Sequence, residues 1–221
     1  MSGALRKYTP PAAAPDAVAG WDALHATGGI TEFLVFLDGG RFRWTSDEAM
    51  GRRSQEMHFP NVEGISFRQK GDRNGLLYFV SKKTFKLYVL DLDNGTYTTS
   101  STDEYTLYTG EFKHSPDQLV RNDGHFLYFT EDGGKTPGVY AINAAGQSFS
   151  IFEAYDQMYF NDETTGLAFS PDGTKMYASF QDCGCEKPND IDCGCLFVFW
   201  RDDGQSFDGD TMSLKFHSPA K

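Results

Sequence analysis

Leu127-Tyr128-Phe129 has a counterpart fifty residues earlier, Leu77-Tyr78-Phe79, and another forty-nine residues later, Met176-Tyr177-Ala178. A fixed period of this size marks a chain built from one repeated supersecondary unit. Ahead of each triplet stands a strand-like segment: Gly64-Ile65-Ser66-Phe67, Gln118-Leu119-Val120 and Gly166-Leu167-Ala168-Phe169. Between segment and triplet lie Gly71 with Gly75, Asn122-Asp123-Gly124, and Pro171-Asp172-Gly173. Asn, Asp and Gly at such places supply the positive φ angles of hairpin turns. A third strand follows each triplet: Lys86 to Leu90, Gly138 to Ile142, and Leu196 to Trp200. After a further turn, Thr96 to Ser100 and Gln147 to Phe152 read as fourth strands.

Four short strands joined by tight turns describe the blade of a β-propeller. The strands of an immunoglobulin-like sandwich do not repeat in fours, so the expected fold is an all-β propeller of four-stranded antiparallel blades. Residues 61–101, 115–153 and 163–216 read as blades. Residues 30–45, with Phe33 to Leu37 followed by Arg41 to Trp44, read as the outer half of another. Residues 1–29 read as an extended lead-in, and Met212 to Phe216 as an extra strand. The expectation is therefore about three and a half blades. That is either a small ring closed by the terminal strands or, preferred here, part of a larger propeller.

Twenty Lys and Arg against thirty-one Asp and Glu give a net charge of −11. Such a balance argues against nucleic acid or an anionic membrane surface as the main partner. Acidic clusters suit hard cations such as calcium. No stretch approaches the roughly twenty apolar residues of a membrane span. Met1 to Gly20 lacks the apolar centre of a signal peptide, so the chain reads as made without an export signal, as a mature form, or as a fragment.

Three segments carry a family resemblance: Asn61 to Phe67 with its Glu63-Gly64; Ser115-Pro116-Asp117-Gln118-Leu119 leading to Glu131-Asp132-Gly133; and Glu163 to Gly173, ending at Ser179-Phe180-Gln181. In order and approximate spacing this set resembles the C-terminal part of PhoX-type alkaline phosphatases. The resemblance implies a metal-dependent propeller that hydrolyses phosphate esters, in a family of six-bladed rings holding calcium and iron. It nominates Glu63, Asp117, Glu163 and Asp132 as metal ligands. Calcium is the cation expected. Iron is not, because the family's iron-binding cysteine has no recognisable counterpart here. Arg121, the nearest candidate to clamp a phosphate, is expected to face solvent.

All four cysteines fall in one stretch, Cys183-Gly184-Cys185 and Cys193-Gly194-Cys195, within an insert at 182–196. If the flanking strands continue as a hairpin, Cys183 faces Cys195, Cys185 faces Cys193, and all four side chains share one face. Directly opposed residues are close enough for disulfides. A four-thiolate zinc site is the rival, although its usual spacing is C-x₂-C. The disulfide reading implies an oxidising compartment: secreted, periplasmic or an organelle lumen.

No P-loop, G-x-G-x-x-G, H-E-x-x-H or G-x-S-x-G is present. The histidines are scattered, and His114 reads as a loop residue. Two functions follow. The chain is part of a calcium-dependent phosphoric monoester hydrolase, or it is a non-catalytic propeller serving as scaffold or binding subunit, with a protein partner or further propeller blades completing it. A sugar-lactone or lectin-like propeller has no motif of its own here.

Overall fold

The computed structural model describes residues 4–11, 27–70, 73–102, 115–121, 126–132, 137–143, 148–153, 163–181 and 194–207. They form an all-β protein of antiparallel sheets with one helix, α1 (Glu48–His58), among the described residues. No helix among them is long and apolar enough to cross a membrane.

Each repeat is its own sheet. The first contains β4 (Val62–Lys70), β5 (Arg73–Ser81), β6 (Lys86–Asp91) and β7 (Thr96–Ser101), side by side in chain order. The second contains β8 (Ser115–Arg121), β9 (Phe126–Asp132), β10 (Gly138–Asn143) and β11 (Ser148–Glu153). The third contains β12 (Thr164–Phe169), β13 (Lys175–Phe180) and β14 (Cys195–Trp200). Met212 to Phe216 lies outside the described residues.

The sheets stack face to face because their strands are apolar on both sides. On β5, Tyr78 and Val80 turn toward the second sheet, where they meet Leu119, Leu127, Phe129 and Tyr140. Phe79, between them, turns the other way onto Tyr88, with ring centroids 4.8 Å apart. The second sheet repeats this alternation, sending Phe126, Tyr128, Val139 and Ala141 toward Met176, Ala178 and Phe180 of the third. Strands buried on both faces read as near-continuous apolar runs, which is why the triplets stood out.

The segment expected as a separate half blade behaves differently. β2 (Ile30–Leu37) and β3 (Arg41–Thr45) form a hairpin, but β3 pairs with β7 at Arg41 and Thr96, so they extend the first sheet to seven strands. Gly40 and Tyr97 add a backbone hydrogen bond of 2.7 Å at the same junction. The extended sheet folds back on itself, placing Leu34, Phe36 and Phe42 against Phe79, Tyr88 and Leu90. Phe36 stacks on Tyr97 at 3.8 Å. Within the expected lead-in, β1 (Arg6–Thr9) is a strand paired with β2.

Helix α1 is packed on β2. Asp47 caps it, its carboxylate accepting from the Met50 amide at 3.0 Å. Its buried face is Gly51, Ser54 and Gln55, and Ser54 Oγ accepts the Phe36 amide at 2.9 Å.

Candidate carboxylate site

The first strand of every repeat carries the same irregularity. On β4, the register shifts between Val62, opposite Ser81, and Ile65, opposite Phe79. On β8 it shifts between Pro116, opposite Glu131, and Leu119, opposite Phe129. On β12 it shifts between Thr164, opposite Phe180, and Leu167, opposite Ala178. In each case two residues face one across the ladder, the definition of a β-bulge, which bends the strand and re-aims side chains. The bulged pairs are Glu63-Gly64, Asp117-Gln118 and Thr165-Gly166. The partner strand holds the extra residues in place. Thr130 Oγ1 accepts the Gln118 amide at 3.0 Å, and the hydroxyls of Thr165 and Ser179 lie 2.7 Å apart.

Glu63 and Asp117 thus occupy one equivalent position in successive sheets. Glu163 does not. The third sheet has Thr165 there, and its carboxylate comes two residues earlier. A backbone bond from the Gln181 amide to the Glu163 carbonyl, 2.9 Å, matches that from Lys82 to Asn61. Glu163 therefore stands where the first sheet has Asn61.

Glu163 nevertheless meets Asp117, with Glu63 within electrostatic reach. Burial raises the Glu163 pKa, and its side-chain hydrogen bond with Asp117 raises it further. The charges of Asp117 and Glu63 act in the same direction, while Lys82 opposes them. A hydrogen bond between two carboxyl groups needs one proton between them, which is why the contact with Asp117 favours the protonated form of Glu163. Asp117 is 6% exposed. The approach depends on Gly64, because a Cβ there would meet Asp117 O at 2.5 Å and Leu119 N at 2.4 Å. Ser66 Oγ accepts the Arg121 amide at 3.2 Å just beyond, tying β4 to β8.

The backbone of Asp132 pairs with Ser115 at the end of β9. Its side chain lies outside the described residues. Its neighbour Glu131, opposite Pro116 and fully buried, is a carboxyl that the sequence reading passed over. The signal was its place in the ladder, one position from Asp117. Arg121 is not turned to solvent as expected. It is half-buried, with its guanidinium 5.5 Å from the Tyr78 ring centroid.

An all-carboxylate donor set suits a hard cation such as calcium, which takes oxygen ligands. Among the described residues, no group of three or more His, Cys, Asp or Glu is gathered closely enough to hold a metal ion.

Cys183, Cys185 and Cys193 lie outside the described residues. Cys195 opens β14 and is not a free thiol. Its partner across the ladder is Phe180, so the register corrects the expectation that Cys183 stands directly opposite it.

Comparison with protein-family models, curated proteins and solved structures finds no match to this chain.

Proposed function

We propose that the three sheets are blades of a β-propeller and that Glu63, Asp117 and Glu163 bind a divalent cation, calcium by donor type, for hydrolysis of phosphate esters. The contact of the Glu163 and Asp117 side chains, with the Glu63 charge acting on the same group, carries this reading. Three carboxyl groups from three successive sheets repel one another when all are ionised, and a bound cation would relieve that repulsion. The repeated bulge and the apolar packing between successive sheets support the propeller. The ordered motifs around Glu63, Asp117 and Glu163, similar to those of PhoX-type phosphatases, supply the reaction class.

Glu63, Asp117 and Glu163 would hold the ion, which when bound polarises a phosphoryl oxygen and lowers the pKa of a water. Gly64 keeps the first two strands close enough for Glu63 and Asp117 to act together. Lys82, beside Glu163, supplies a positive charge suited to an anionic ester.

Calcium titration by calorimetry, with hydrolysis of p-nitrophenyl phosphate followed in parallel, tests both halves. Saturable calcium binding that is lost in Glu163→Gln and Glu63→Gln, with calcium-dependent hydrolysis lost in step, is expected. Hydrolysis that persists in a chelator, or the absence of calcium binding, would refute it. Binding without hydrolysis favours the second reading, a non-catalytic propeller subunit. The exposed apolar side chains on the outer face of the third sheet support that alternative.

A further inference from the structure

We infer that Asn94 is an N-glycosylation site, its side-chain nitrogen carrying an oligosaccharide. Of the seven asparagines in the chain, only Asn94 has a serine or threonine two positions on, in Asn94-Gly95-Thr96. Asn-x-Ser/Thr, with x other than proline, is the acceptor sequence of N-glycosylation and marks an accessible surface segment. Here the motif forms the end of the tight turn between β6 and β7 and the first residue of β7. Asn94 and Thr96 are both exposed. Gly95 closes the turn, with a φ of 65° in the left-handed region and its amide donating to the Asp91 carbonyl at 2.9 Å.

The hydrogen bonds of the turn leave the reacting atom available. One oxygen of the Asp91 carboxylate accepts the backbone amides of Asp93 and Asn94, both at 3.0 Å. The other accepts Asn94 Nδ2 at 2.8 Å. A primary amide has two N–H bonds, and Asp91 uses one of them. Glycosylation draws on the other. The bond from the sugar's anomeric carbon to the diphosphate of a lipid-linked oligosaccharide donor breaks, and a bond from that carbon to Nδ2 forms. One Nδ2 proton is lost, and the lipid diphosphate leaves with the electron pair. The product is a secondary amide whose remaining N–H still serves Asp91, so the folded turn accommodates the sugar.

Two further features fit a glycan at this place. The turn lies at the opposite end of the first sheet from the carboxylates. β6 starts at Lys86, opposite Ser81, which in turn stands opposite Val62 beside Glu63. From there β6 runs to Asp91, roughly 17 Å at the rise of a strand, before the turn begins. A sugar on Asn94 therefore grows away from the contact between Glu163 and Asp117. The second feature is Cys195, which is not a free thiol. A bonded cysteine fits passage through an oxidising compartment of the secretory route, where proteins bearing exposed Asn-x-Ser/Thr turns receive their sugars.

Tryptic mapping of the protein from its natural source tests this, because the peptide spanning 87–113 holds the whole motif. That peptide should be missing at its unmodified mass. After treatment with peptide N-glycosidase in water labelled with heavy oxygen, it should appear with labelled aspartate in place of Asn94. Expressed in the same cells, Asn94→Gln and Thr96→Ala should each migrate as the smaller, sugar-free protein on a denaturing gel, while Thr96→Ser keeps the larger size. Should Asn94→Gln fail to fold, Thr96→Ala gives the same reading with the bonds between Asn94 and Asp91 left in place. Recovery of peptide 87–113 unmodified from the native protein would overturn the inference, as would a sugar retained in Asn94→Gln or in Thr96→Ala.

Discussion

The backbone of Gly64 lies directly against that of Asp117, so closely that a methyl group on Gly64 would fall 2.5 Å from the Asp117 carbonyl oxygen. The other atoms it would meet, Leu119 N and the Gln118 carbonyl carbon, are also backbone, and no flexible side chain can step aside. Gly64→Ala must push β4 and β8 apart. Overpacking of this kind costs about 1–3 kcal/mol. The loss of unfolded-chain entropy on replacing glycine returns about 0.4–1 kcal/mol. Overpacking wins, so the urea midpoint should fall, and calcium affinity should fall with it as Glu63 moves away from Asp117. An unchanged or higher midpoint would show that the close approach is not required.

Glu163→Gln should raise stability while removing the proposed calcium binding. The folded-state pKa of Glu163 lies above the usual carboxylate value, chiefly through burial and then through Asp117. A raised acid pKa contributes stability fully below the unfolded value of about 4.3, and that contribution fades as pH rises through the folded value. Once ionised, Glu163 faces the charges of Asp117 and Glu63. Glutamine keeps a donor for Asp117 and carries no charge. The variant should therefore melt at a higher temperature than wild type at pH 7 without calcium, and the gap should narrow toward pH 4. A lower melting temperature at pH 7 would contradict the placement of the charges.

Tyr128 holds the end of the described chain to the second sheet. Its hydroxyl donates to the Phe207 carbonyl at 2.5 Å, and Phe207 in turn donates its amide to Gly173 at 2.8 Å. Tyr128 is fully buried and Phe207 nearly so. Tyr128→Phe keeps the ring and removes the donor, leaving a buried carbonyl unsatisfied at a cost of about 1–3 kcal/mol. Chemical denaturation should show that loss with an unchanged slope, since no surface is newly exposed. A shift below a few tenths of a kcal/mol would mean that water replaces the hydroxyl.

The repeat was legible because Leu77-Tyr78-Phe79 and its counterparts are apolar on both faces, a pattern that only strands between two layers need. Glu63, Asp117 and Glu163 were legible as a group because each stands at or beside the first strand of its repeat. Their unequal positions were not. A bulge inserts a residue without disturbing the alternation on either side of it, so Glu63-Gly64 and Asp117-Gln118 read as ordinary strand. The joining of β3 to β7 was hidden for another reason. Arg41 and Thr96 are distant in sequence, and neither differs from any other edge residue. Helix α1 escaped notice because its buried face is Gly51, Ser54 and Gln55, which leaves no apolar stripe at helical spacing.

That polar face makes Gly51 a test of how α1 is held. In a helix interior, glycine costs about 0.8–1 kcal/mol relative to alanine, so propensity alone favours Gly51→Ala. Packing opposes it, because a Cβ at this position would sit 2.4 Å from Phe33 Cβ. Phe33 Cβ is anchored beside its own backbone on β2 and cannot swing away as the tip of a long side chain would. Relief requires α1 to lift from β2, which would stretch the 2.9 Å bond between the Phe36 amide and Ser54 Oγ. Overpacking at about 1–3 kcal/mol, with that bond weakened, exceeds the propensity gain. Gly51→Ala should lower the melting temperature, and Gly51→Ser should lower it further. If Gly51→Ala raises it, α1 rests more loosely on the sheet than the Gly51–Phe33 contact requires.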